Sequence, residues 1–298
     1  MGRETNKSRR EAQAATAREK AAAARALQAQ ADRRRRAMVI LGSVVALGVV
    51  IVVVALVAIN SGGSKKVSAG TPADPAVVAK VTGVSTATID TVGSGSASAA
   101  SSSTIGTISD PPLTSANKPE VLYIGAEFCP FCAAERWSII QALSRFGTFS
   151  GLSQITSSEE NLPTFDFVDS SYTSKYLTFT PREVEDQNGK QLQSLTAAQT
   201  ALWKKYSPKQ SFPFLYFGGD YVQSGAGFDP RVLSGKTHTE VADALSDPTA
   251  DTTKGIVGEA NVLTAAVCGM TGNQPANVCS NSTISGLHSQ FQPFEVSS

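Results

Sequence analysis

The 298-residue chain carries a net charge of only +1, from 26 basic and 25 acidic residues. That balance hides a split: residues 1–36 hold eleven Lys/Arg against four Asp/Glu, a net of +7, which leaves −6 for the rest. A nucleic-acid binder needs its basic patch on the folded part, so this pattern excludes nucleic acid as a partner and reads as a topology signal.

Residues 8–32 are rich in Ala, Arg, Glu and Gln, which favours helix, but they form no broad apolar stripe. Residues 1–36 are therefore expected to be a basic cytoplasmic tail. From Ala37 to Asn60 no charge interrupts the chain, and the run is long enough to cross the ~30 Å hydrocarbon layer of a bilayer. Arg33–Arg36 abut its start, while only Lys65 and Lys66 follow closely. The positive-inside rule then puts the N-terminus in the cytoplasm and the remainder outside the cell membrane, on a single pass. A cleaved signal peptide would have a shorter basic region and a shorter apolar core.

Residues 61–118 read as a Ser/Gly/Ala-rich linker, with enough Val and Ile at 75–92 to pack as a short helix and strand. Residues 119–285 are expected to form the main extracytoplasmic domain, and 286–298 a C-terminal tail. EVLYI (120–124) is a buried-strand run, and Ala133 to about Phe146 continues as a helix. Residues 164–180 alternate as two strands around an SSYTS turn. Thr196–Gln199 and Thr237–Glu240 are capping boxes that open two helices, and FLYF (214–217) and YV (221–222) flank a Gly-Gly-Asp turn. A last helix runs from about Ile256 into Cys268.

The chemistry concentrates at Cys129-Pro130-Phe131-Cys132, between an apolar strand and a helix. A thiol at a helix N-terminus faces unpaired backbone N–H groups and the positive end of the helix dipole, which favour thiolate over thiol. Only thiolate attacks a disulfide, and the two-residue spacing lets Cys132 close a small ring with Cys129. Cys129 is the expected attacking thiol and Cys132 the resolving one. No metal is expected: Cys268 and Cys279 have ten residues between them, outside usual zinc spacing, and His238 and His288 are isolated and read as surface residues. No cofactor is needed for exchange. Cys268 and Cys279 read as a structural disulfide, with a second redox pair relaying electrons to Cys129 and Cys132 as the sharper alternative. Glu135 and Arg136 read as an ordinary surface pair, although Arg136 sits where it can tune Cys129; Trp137 reads as core.

VLYIGAEFCPFC (121–132) resembles the strand, motif and helix of thioredoxin-fold proteins. CPFCAAERW (129–137), ALSRFGTF (142–149) and LTAAVC (263–268) are similar to the thioredoxin-like domain-of-unknown-function 929 family, over about residues 75–280. The resemblance implies an α/β thioredoxin-like fold: a central mixed sheet flanked by helices, here with an insertion at about 150–208 and one preceding transmembrane helix. It also implies a cis-proline at a strand start facing the cysteines, which Phe212-Pro213 fits, and casts Phe212, Pro213, Pro130 and Phe131 as the substrate face. Thioredoxins carry a buried Asp six residues before the first cysteine; this chain has Tyr123 there, so proton transfer from Cys132 is provided for only where Glu127 or another carboxylate substitutes. The implied function is a membrane-anchored thiol–disulfide oxidoreductase, with protein thiols or disulfides and a membrane redox partner as its expected partners. The alternatives are a non-enzymatic peptide-binding module and a metal-delivery protein.

Overall fold

The computed structural model describes residues 70–97 and 105–296. The basic tail and the expected membrane span at 37–60 lie outside the described residues; among those described, no helix is long and apolar enough to cross a membrane.

The chain enters through β1 (Thr71–Pro72), α1 (Pro75–Thr82, capped by Asp74) and α2 (Thr86–Val92, capped by Ser85). The 75–92 segment thus forms two helices rather than a helix and a strand. Alternation there is too weak to set a strand, whereas each Ser/Asp cap satisfies the orphan N–H groups of a new helix. Val77 and Val81 enter the main core, and the Asn261 side chain donates to the Ile89 and Gly93 carbonyls. Folded structure therefore includes residues well upstream of Pro119.

The short strands β2 (Gly106–Thr107) and β3 (Thr114–Ser115) lead into β4 (Lys118–Gly125), and α3 (Pro130–Leu143) follows the cysteine motif. Next come β5 (Gly147–Ser150), β6 (Ser153–Thr156), β7 (Pro163–Asp166), β8 (Ser171–Ser174) and β9 (Thr178–Glu183). SYTS, expected as a turn, is strand β8 and pairs with β5, Phe149 opposite Tyr172. Its Ser and Thr suit a strand with one exposed face as well as they suit a turn, and only the partner strand decides.

Helix α4 (Ala197–Tyr206) precedes β10 (Phe214–Phe217) and β11 (Tyr221–Ser224). After a 3₁₀ turn at Pro230–Leu233 come α5 (His238–Ala244), α6 (Asp251–Met270), α7 (Ala276–Cys279), α8 (Ser282–His288) and β12 (Gln292–Pro293). Both capping boxes form as expected, at Thr196/Gln199 and Thr237/Glu240. The last residues are not merely a tail, because β12 pairs with β2.

The main sheet runs β12-β2-β11-β10-β4, with β9 parallel to β4 and β10 antiparallel to it. Strand period 2 sorts β4 into two faces. Val121 and Tyr123 join the larger core with α3 and α6; Leu122 and Ile124 join Trp203 and Tyr206 of α4 on the other side. Helix α3 is walled in by the sheet, α6 and β7: Ser138 donates to the Ile256 carbonyl, Trp137 to Pro163, and Thr164 to Ala133. Almost every residue of α3 is buried as a result.

Candidate functional site

β4 ends at Gly125, and the chain turns so that Cys129 becomes the N-cap of α3. Its Sγ accepts the backbone N–H of Cys132 at 3.4 Å, taking one of the helix's orphan donors. The thiols are unbonded; Cys129 is 6% exposed and Cys132 wholly buried. Their acidities diverge. The hydrogen bond from the Cys132 thiol, then the N–H groups of the first turn and the Arg136 charge, hold Cys129 below the ordinary thiol value against the effect of burial. Burial, then the neighbouring Cys129, pushes Cys132 well above it. Such a pair can offer one thiolate nucleophile just beneath the surface and keep its partner protonated until needed.

Phe212-Pro213 is a cis peptide bond directly before β10. Phe212 and Phe128 pack against Ala126, Cys129 and Cys132, their two rings 6.3 Å apart edge to face. Trp203 of α4 stacks on Phe212 at 5.1 Å, so α4 reaches the cysteine cluster through one aromatic contact. Pro130 is buried, whereas Phe131 is 49% exposed and stands proud beside Cys129. Of the residues expected at the substrate face, Phe212 packs on the cysteine cluster and Phe131 is exposed beside the motif, whereas Pro130 is buried.

Glu135 and Arg136 are not a surface pair; both are fully buried. Arg136 makes a bidentate ion pair with Glu183 (Nε–Oε1 2.8 Å, Nη2–Oε2 2.7 Å) and also donates to the Ala126 carbonyl. The surface reading fails because every residue of α3 from Cys132 onward is buried. Around this cation lie further carboxyls. Burial, then the Asp166 and Glu183 charges, raises Glu127 to about 7; burial, then Glu183, raises Asp166 to about 6. Glu127 accepts the Gln187 N–H at 3.2 Å. Tyr123 is buried in β4, and a Cβ at Gly125 would lie 2.0 Å from its hydroxyl, so that position requires glycine.

Behind α3, Glu135 accepts from Gln223 Nε2 and the Gly227 N–H, both at 3.1 Å, and interacts with the buried Glu259 of α6. Burial raises both carboxyls, Glu259 to about 7. A carboxyl with a raised folded pKa binds more protons folded than unfolded. Its stabilisation is therefore full below about pH 4.5 and is lost as pH rises through about 7. Glu259→Gln is expected to flatten the fall in unfolding free energy between pH 5 and 8, with a gain on the order of 2 kcal/mol at pH 8. Chemical denaturation at both pH values checks this; equal losses in both proteins would contradict it.

Glu183, Asp166 and Glu259 were not legible as site residues. Their contacts with α3 lie far off in sequence, and no motif marks them. One signal did exist: α3 carries its only two charges at adjacent positions and lacks a polar stripe, the mark of a helix buried all round.

Cys268 and Cys279 form a disulfide, joining the end of α6 to α7. These cysteines sit in the main core cluster, whereas Cys129 and Cys132 belong to a separate one with Phe128 and Phe212. The relay reading needs the two pairs in contact, and they pack apart. His238 and His288 are half-buried rather than surface residues: His238 bridges the Ile155 and Thr164 carbonyls, and His288 meets the Tyr221 hydroxyl at 2.7 Å.

A family model described as "Domain of unknown function (DUF929)" matches residues 104–269, more than half of the chain. The protein belongs to this family. The matched DUF929 region holds β4, the cysteine motif, the cis-proline and most of α6. No curated protein and no solved structure matches the chain.

Proposed function

We propose that this DUF929 protein is a membrane-anchored, extracytoplasmic thiol–disulfide oxidoreductase with a thioredoxin-like fold. The observation that carries the reading is the asymmetry of the cysteine pair: a helix-capping, nearly buried thiol with lowered pKa, and a wholly buried thiol with raised pKa. The fold assignment draws on the order β4, α3, β9, α4, cis-Pro213, β10, β11, α6, with β9 parallel to β4 and β10 and β11 alternating antiparallel. The anchor rests on the charge-flanked apolar run at 37–60.

In the reducing direction the Cys129 thiolate attacks a substrate disulfide, forming a mixed disulfide and expelling one substrate thiolate. Cys132 then attacks Cys129 Sγ, closing the Cys129–Cys132 bond and releasing the second substrate thiol. The oxidising direction is the reverse, starting from the closed pair. Phe131, Phe212 and Pro213 supply an apolar platform for the substrate chain on either side of the attacked sulfur.

The test is equilibration of the full-length protein with glutathione buffers of graded potential. A two-electron couple between about −120 and −270 mV, lost when Cys129 is replaced by Ser, is the expected result. A Cys129–Cys132 bond that resists reduction below about −300 mV and exchanges negligibly would mark an inert cross-link instead.

A further inference from the structure

Tyr123 is fully buried towards the end of β4; its hydroxyl lies against the Cys132 thiol and lacks the fully formed hydrogen bond that buried hydroxyls ordinarily find. It is held over Gly125, whose missing side chain makes its space. The groups that face it are Arg136, Cys132 and Glu183. Arg136 uses Nε and Nη2 on Glu183 and Ala126, but its buried Nη1 also lacks a partner. Two buried donors thus stand without a full hydrogen bond beside the Cys132 thiol. A neutral thiol is a weak acceptor, whereas a thiolate accepts charge-assisted hydrogen bonds strongly.

We propose that the Tyr123 hydroxyl, with the Arg136 guanidinium beside it, stabilises the Cys132 thiolate in the resolving step, by donation rather than as a base. The inference rests on the oxidoreductase reading above and adds the residue that makes the second cysteine competent. In the mixed disulfide, Cys129 Sγ is bonded to a substrate sulfur. Cys132 gives up its proton and its thiolate attacks Cys129 Sγ; the Cys129–Cys132 bond forms as the bond to substrate breaks. The electron pair leaves on the substrate sulfur, which takes up the proton that Cys132 released. The cysteine pair is oxidised by two electrons and the substrate disulfide is reduced. Tyr123 keeps its own proton throughout, because burial holds its pKa well above the ordinary phenol value. In the opposite direction the same donors stabilise Cys132 as the leaving group.

Tyr123→Phe removes only the hydroxyl that faces Cys132, which makes no full hydrogen bond elsewhere. Losing one charge-assisted donor lowers the Cys132 thiolate fraction by about ten- to a hundredfold, and the higher nucleophilicity of a more basic thiolate offsets part of that. In full-length protein mixed with oxidised glutathione and quenched in acid, the glutathionyl-Cys129 intermediate should decay about tenfold more slowly than in wild type. The pH midpoint for Cys129 alkylation should stay put, and the unfolding midpoint should not fall. Decay within about twofold of wild type overturns the proposal, as does slowing accompanied by a lower unfolding midpoint and weaker Cys129 alkylation. If wild type itself forms neither the intermediate nor the Cys129–Cys132 bond, the oxidoreductase reading falls first.

Discussion

Arg136→Met is expected to cost about 3–5 kcal/mol of folding stability, because it strands the Glu183 carboxylate in the interior without its cation. Both partners are wholly inaccessible, and the geometry is the planar, two-bond arrangement that only arginine supplies. The stranded charge would also lie close to Glu127 and Asp166, whose raised pKa values already register repulsion from Glu183. Thermal unfolding should shift down by roughly 10 °C or more for a folded part of this size. Replacing both partners together, as Arg136→Met with Glu183→Leu, should recover most of the loss, since a well-packed apolar pair often does as well as a buried ion pair. A double variant no more stable than Arg136→Met would show that the ion pair itself is not what the single change removes.

The same cation bears on the chemistry. Arg136 favours the charged form of both Cys129 and Cys132. The stability-restored double variant therefore separates folding from reactivity: it should fold but alkylate Cys129 at a higher pH than wild type. A buried ion pair is weak evidence for stability as such, and its position beneath the two thiols gives a reason for its presence.

The local layer of this structure was open to reading from the sequence. VLYI, FLYF and YV are strands because short apolar runs between turn residues fit a buried sheet, and both capping boxes form because the Thr side chain and the Gln or Glu three residues on satisfy each other's neighbours. Cys129 at a helix N-terminus followed from the same local logic. What escaped was set by long-range contacts. SYTS became strand β8 because β5 lay beside it, and the helices at 75–92 are held by α6 and the main core. Glu135 and Arg136 looked like surface charges because charge usually marks exposure. Their partners arrive from 88 positions away at Gln223 and 47 at Glu183, distances at which one sequence carries no pairing signal. The second cis bond, Gln274-Pro275, beside the disulfide loop, likewise had no local mark.

Cys132→Ser, Cys129→Ser and wild type treated alike with oxidised glutathione form the sharpest comparison, and the largest expected difference. With the resolving thiol gone, the Cys132→Ser protein should hold glutathione stably as one adduct per chain, on Cys129. Wild type should pass through the same adduct and end as the Cys129–Cys132 disulfide. Cys129→Ser should be slower by about a thousandfold or more, since its remaining thiol is inaccessible and well above the ordinary thiol pKa, so its thiolate fraction is minute. Intact-mass spectrometry with peptide mapping reads all three outcomes. A stable adduct on Cys129 alone is the predicted result; no adduct in Cys132→Ser, or an adduct on Cys132 in Cys129→Ser at a comparable rate, would contradict the assignment of this pair as a working redox centre.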